Sequence, residues 1–195
     1  MTIWIARHGE SVSNAGLPTN SPGEPELTLK GRQQAAHLAM NFDHLDMVIT
    51  SRYVRSIRTG WIVSTIVNPK KLVQWSNIHE LVLLDSSKYG GTTHTERQSA
   101  VLDLINKQRK DPAYKETNAE SFLDIVKRVK NFYYRCEKLP YDNNVLIISH
   151  GQLMKALLWT MNYSSPLDYR AAESFWNFQD SFEFGNCQYF QLKVK

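Results

Sequence analysis

The sequence predicts an α/β fold, a three-layer α/β/α sandwich around a mostly parallel central sheet, on two observations. Short apolar runs recur at residues 3–7, 46–50 and 145–149, each continuous enough to be a strand buried on both faces. Between them lie stretches whose apolar residues recur at helical spacing. Alternating strands and helices make parallel pairing the simplest arrangement, because a crossover helix returns the chain to the same edge of the sheet.

The elements follow in order. Ile3 to Arg7 reads as the first strand. Thr28 is a candidate cap for a helix that places Ala35, Leu38, Ala39 and Phe42 on one face. Asp46-Met-Val-Ile-Thr50 is the second strand, and Leu72 to Trp75 a candidate fourth. Thr117-Asn-Ala-Glu120 reads as a capping box, followed by Phe122, Ile125, Val126, Val129, Phe132, Tyr133 and Cys136 until Pro140 forbids continuation. Val145 to Ser149 is a strand again, and Leu153, Ala156, Leu157, Thr160 and Met161 form the apolar face of the next helix. Phe190, Leu192 and Val194 alternate with Gln191, Lys193 and Lys195, the pattern of a strand with one face exposed. Trp159, Tyr163, Phe175 and Trp176 are expected to pack the core or cover its edge rather than stack on bases.

At 195 residues, with no repeat or linker, the chain is expected to be a single domain over 1–195. No apolar run approaches the roughly 20 residues that span a bilayer, and no leader-like segment opens the chain, so no membrane contact and a cytoplasmic location are expected. In that setting Cys136 and Cys187 are expected to be reduced and packed. A net charge of +4 favours anionic partners. The basic residues are scattered rather than massed, which argues against nucleic acid. The sequence carries no signal of oligomeric state.

Functional groups gather where the three apolar runs end. Arg7 and His8 follow the first, Arg55 lies one helical turn beyond the second, and His150 follows the third. Parallel strands bring all of these to one edge, beyond the carboxyl ends where such sheets bind ligands. Helix N-termini there add positive potential. Two guanidinium forks fit the oxygens of a phosphoryl group. A neutral imidazole beside them can attack phosphorus, while arginines and a second, protonated histidine balance the charge on the oxygens. This chemistry requires neither metal nor cofactor.

Arg7-His8-Gly9-Glu10-Ser11 with Asn14, then Leu27-Thr28, Gly31, Gln34-Ala35, Ser51, Arg55, Thr59 and Ser149-His150-Gly151, occur in an order that resembles the phosphoglycerate mutase-like branch of the histidine phosphatase superfamily over nearly the whole chain. The resemblance implies a phosphoglycerate mutase-like fold and a small phosphorylated metabolite as substrate. His8 would be the nucleophile, and Arg7, Arg55 and His150 the phosphate pocket, with Asn14 and Gly151 as further contacts. Glu80 would protonate the leaving alcohol, with Asp85 and Glu10 in reserve.

Departures from the branch lie at Arg52, Ser56 and Arg58, and in the polar stretch from Asp85 to Arg97, which would normally shape the leaving-group pocket. Arg52 and Arg58 are either extra anion contacts or exposed. Lys88, Tyr89 and Arg97 either line the substrate entrance or belong to a solvated loop, the plainer expectation. His37, His44, His79 and His94 read as surface or helix-flank residues. The expected function is a phosphomonoesterase working through a phosphohistidine. Its alternatives are a phosphoglycerate mutase, a metal hydrolase using His8, His150 and a carboxylate, and a non-catalytic phosphate-binding or adaptor domain.

Overall fold

The computed structural model describes residues 1–194. Five strands, β1 (Thr2–Arg7), β2 (Met47–Thr50), β3 (Lys71–Gln74), β4 (Asn144–Ser149) and β5 (Tyr189–Leu192), form one sheet in the order β3-β2-β4-β1-β5. The first four are mutually parallel, and β5 runs antiparallel to β1 along the edge. Strands β2, β4 and β1 occupy the interior positions, which is why their sequences are continuously apolar. Edge strand β3 is largely exposed, and β5 alternates as predicted, with Gln191 exposed and Leu192 buried. The last residue of the predicted alternation, Lys195, lies outside the described residues.

Seven helices complete the fold: α1 (Leu29–Ala39), α2 (Val54–Val67), α3 (Ser86–Tyr89), α4 (His94–Lys110), α5 (Phe122–Glu137), α6 (Gly151–Asn162) and α7 (Tyr169–Asp180). Alternation along each strand assigns its side chains to two layers. Ala6, Val48, Leu146 and Ile148 meet Leu38, Ala39 and Val63 of α1 and α2 on one face. Ile3, Ile5, Ile49, Val145 and Ile147 meet α4, α5, α6 and α7 on the other. Phe122, Trp159, Phe175 and Trp176 pack edge to face there, and Tyr163 stacks on Trp159 with ring centroids 4.2 Å apart. Full burial of each such large side chain stabilises by roughly 1.5–3 kcal/mol. Cys136 is buried and Cys187 half-buried; both are free thiols, pushed up to about 12 by burial.

Thr28 caps α1 as predicted, its hydroxyl accepting the Gly31 N–H. The cap of α5 differs. Its capping box is Ser121 with Asp124, four residues beyond the predicted Thr117 and Glu120, and residues 117–120 form a turn with Asn118 at φ 59°. Glu120 is drawn elsewhere, because its carboxylate pairs with Arg128 at 2.6 Å and accepts the Val82 N–H. Helix α4 fills a stretch without a clear apolar period, burying Leu104, Ile105 and Gln108 among its 17 residues, whereas α7 buries Ala171, Ala172, Phe175, Trp176 and Gln179 at helical spacing. The start of α4 is nonetheless marked by a capping box, Thr93 with Glu96.

Candidate active site

Strand register brings the functional groups together. Arg7 is level with Ser149, and Thr50 with Ile148. Residues one step further, His8, His150 and Ser51, therefore emerge side by side from β1, β4 and β2, with His150 in the middle. The His8 and His150 rings lie 5.0 Å apart between centroids, close to the spacing of adjacent strands.

His8 is 2% exposed. Its Nδ1 donates to its neighbour's carbonyl, Gly9 O, at 2.7 Å, which leaves the lone pair on Nε2. That lone pair accepts Nε–H of Arg55 at 3.0 Å. Burial, then the Arg55 charge, hold His8 well below the usual imidazole range. The side chain is thus neutral at physiological pH, the state a nucleophile needs.

His150 is also fully buried, and burial, with Arg55 second, holds it well below its usual range. This corrects the expectation of a protonated second histidine: burial, and then the neighbouring Arg55 charge, disfavour the imidazolium. Its Nε2 meets Ser51 Oγ at 2.7 Å. Ser51 Oγ already accepts the Tyr53 N–H, so among the described residues the hydroxyl proton has His150 Nε2 as its acceptor. The His150 proton then sits on Nδ1, a buried atom with no partner. A buried N–H with no protein partner at this position is available to a bound group.

Arg55, from the first turn of α2, is buried, donates to Pro22 O and lies over the Tyr53 ring at 4.9 Å. Arg7 donates to Phe184 O, and its Nε is buried without a partner. A Cβ on Gly151 would lie 3.4 Å from Arg7 Nε, in van der Waals contact, so the first residue of α6 packs directly against Arg7. Gly9 and Gly31 permit a closer approach: a Cβ on Gly9 would sit 2.3 Å from Gly31 O. This contact seats the loop after β1 on the start of α1, where Gly9 N–H also donates to Thr59. Asn14 is exposed, and its Oδ1 accepts from Ser11 N and Oγ, so its Nδ2 is the side free for an oxyanion.

Glu80 lines a cleft of about 900 Å³ that opens beside Arg55. Its carboxylate accepts N–H bonds from Leu81, Gln152 and Leu153, and so caps α6, whose own N-cap His150 makes no side-chain cap. The reserve acids are engaged elsewhere. Glu10 pairs with Lys30 at 2.8 Å and accepts from Thr28, while Asp85 caps α3 through Ser87. Arg58 faces outward in an ion pair with Glu26, and Arg52 is exposed. Ser56 ties the ends of β2 and β4 by accepting Ser51 N–H and donating to Ile148 O.

Tyr89 and Arg97 line the same cleft, where a solvated loop was the plainer expectation, whereas Lys88 pairs with Glu116; His94, exposed at the start of α4 as expected, also lines the cleft. His37 and His44 are exposed as predicted; His79 is instead half-buried against Tyr53, with its Nδ1 on Glu80 O. Among the described residues no cluster of three or more His, Cys, Asp or Glu side chains has a metal-binding arrangement, so the donor set of the metal hydrolase alternative is not assembled.

Sequence reading missed the loop 181–188. Buried Lys155 on α6 donates to Gln179 O and Phe182 O, Asn186 Nδ2 donates to His8 O at 3.0 Å, and Cys187 N donates to Arg7 O. The loop thereby buttresses the RHG turn from behind. A lysine at an apolar position of α6 is the one local hint of it.

Comparison with known proteins agrees with this geometry. A family model, the histidine phosphatase superfamily (branch 1), matches residues 3–177. The chain is 29% identical over 191 residues to the adenosylcobalamin/alpha-ribazole phosphatase of Salmonella typhimurium, covering 91% of this chain and 89% of that protein. It is 25% identical over 169 residues to a protein named as the phosphoglycerate mutase GpmB of Erwinia tasmaniensis, covering 83% and 74%. The crystal structure of the alpha-ribazole phosphatase from Shigella flexneri shares the fold with a TM-score of 0.74 at 23% identity, over 100% of this chain and 91% of that one. With the model matched from β1 through α7, the chain belongs to the histidine phosphatase superfamily, branch 1.

Proposed function

We propose that residues 1–195 form a single cytoplasmic catalytic domain, a phosphomonoesterase that hydrolyses a small phosphorylated metabolite through a phosphohistidine at His8. The observation that carries this reading is the buried, neutral His8, its Nδ1–H tied to Gly9 O and its Nε2 beside Arg55. A bound phosphoryl group takes over the N–H donors of Arg55, which frees the Nε2 lone pair. Nε2 then attacks phosphorus and the bond to the alcohol oxygen breaks, while Glu80 gives that oxygen a proton. The positive charge left on the phosphorylated ring is stabilised through Nδ1–H by Gly9 O. Arg7, Arg55, Asn14 and His150 Nδ1–H hold the phosphoryl oxygens, and the N-terminus of α6 at Gly151 adds its dipole. In the second half, Glu80 takes a proton from water, whose oxygen attacks phosphorus as the P–N bond breaks. No cofactor or metal enters the reaction.

Among the described residues no helix is long and apolar enough to cross a membrane. Acid quenching after reaction with labelled substrate is expected to trap phosphate on His8, and His8→Ala to lose turnover by about 10³-fold or more. Full activity in that variant would overturn the mechanism. Likeness to a protein named as a mutase supports a second reading, phosphoglycerate mutase, which predicts interconversion of 2- and 3-phosphoglycerate faster than phosphate release. A non-catalytic binding domain predicts no turnover of p-nitrophenyl phosphate.

A further inference from the structure

Arg97, on the first turn of α4, lines the same cleft as Arg55 and Glu80. Its Nη1 donates to both Thr92 O, at 2.7 Å, and Thr92 Oγ1, at 3.1 Å. The Thr92 carbonyl also accepts Thr19 N–H, so the guanidinium is tied to the point where two loops over the cleft are bridged. One nitrogen is therefore fixed. Nε and Nη2, the edge that grips two oxygens at once, make no hydrogen bond among the described residues, and no carboxylate lies within ion-pair distance. Glu96, its neighbour in sequence, feels this charge but is bonded to Thr93, so the half-buried, oriented cation keeps its bidentate edge for an anion supplied from outside.

Part of the cleft wall is apolar. Leu81, Leu84, Val101 and Tyr89 line it, and Glu80 is the one carboxylate there. A substrate whose phosphate lies on His8 would place its alcohol portion along this wall.

On the reading that His8 is a phosphatase nucleophile, we propose that Arg97 is a specificity-determining residue and that the preferred substrates are phosphomonoesters whose alcohol carries a second anionic group. A carboxylate and a second phosphate both satisfy the fork. The choice between them is measured by two matched pairs: 3-phosphoglycerate against glycerol 3-phosphate, and glucose 1,6-bisphosphate against glucose 6-phosphate. In the unmodified chain, kcat/KM is expected to favour the anionic member of at least one pair by about 10–100-fold, the range for a hydrogen-bonded ion pair. Whichever pair shows it identifies the group.

Arg97→Ala is expected to collapse that ratio to near one, chiefly through KM, while p-nitrophenyl phosphate turnover changes by less than about 3-fold. Arg97→Lys, which keeps the charge but not the fork, is expected to fall between. Ratios near one in both pairs for the unmodified chain overturn the proposal without any variant. So does a ratio that survives Arg97→Ala, or an equal loss on p-nitrophenyl phosphate, which marks a purely structural tether. Failure of the phosphatase reading itself is separate, and shows as p-nitrophenyl phosphate turnover that is absent or independent of His8.

Discussion

Ser51 illustrates how much of this site depends on where a single proton sits. The Ser51 hydroxyl accepts Tyr53 N–H, and on the proposed mechanism it gives its own proton to His150 Nε2, which leaves His150 Nδ1–H for the phosphoryl oxygen. Ser51→Ala removes that constraint, and kcat is expected to fall about 10-fold or more with KM little changed, as for loss of one donor to a developing charge. Nitrogen NMR of His150 should show Nδ1–H in the unmodified chain and a tautomer mixture in the variant. A proton on Nε2 in the unmodified chain would sink the assignment. Ser51 was visible in the sequence only as part of a family pattern, since its role depends on a partner 99 residues away. Gly9, by contrast, was legible as a place where backbone must pass close to something, though not that Gly31 O is what it passes.

At the scale of elements, helix α6 joins catalysis to stability. Its first N–H groups are satisfied by the Glu80 carboxylate from the segment after β3, and its first residue packs against Arg7. Glu80→Gln keeps an acceptor oxygen but has no acidic proton. It is expected to retain stability within about 1 kcal/mol, yet to lose about 10²–10⁴ in kcat on alkyl phosphates. The loss should be much smaller on p-nitrophenyl phosphate, whose leaving group needs no proton. Glu80→Ala should in addition lower the unfolding midpoint by roughly 2–4 °C for each kcal/mol of lost capping. An equal loss on both substrates in Glu80→Gln would remove Glu80 as the acid. The strands and the strongly periodic helices, α1, α5 and α6, were legible because burial on one or both faces imposes a period on the sequence. The start of α5 and the whole of α4 were not: an ion pair across elements moved the first, and the second buries too few residues to leave a pattern.

Across the whole molecule, the strand order sets a charge pattern that stability must carry. His8 and His150 are buried beneath Arg55, so both bind their proton less readily folded than unfolded, with burial the leading cause. The unfolded chain takes up these protons below about pH 6.5, so stability is complete above that value and declines as pH falls toward the lowered folded values. Each histidine contributes at most about 1.4 kcal/mol per pH unit in that window. Asp46, held below the usual carboxylate range first by Lys70 and then by Asn144 N–H, adds its own loss only below about pH 4. A thermal midpoint that falls between pH 6.5 and 5, and falls less in the double variant His8→Asn/His150→Asn, is the expected result. A level midpoint over that range would mean that the imidazoles are charged in the folded chain.

The sequence by itself determined the layered α/β architecture, the strands that end at the site and the cationic residues that follow them, because burial and turn chemistry are local demands written into neighbouring residues. Tertiary structure decided what those residues share. Whether His150 is charged, what Ser51 bonds, what the loop 181–188 supports and which cleft Arg97 lines all depend on groups brought together from distant parts of the chain. Solvation and hydrogen-bond partners belong to the assembled fold, and no stretch of sequence carries them alone.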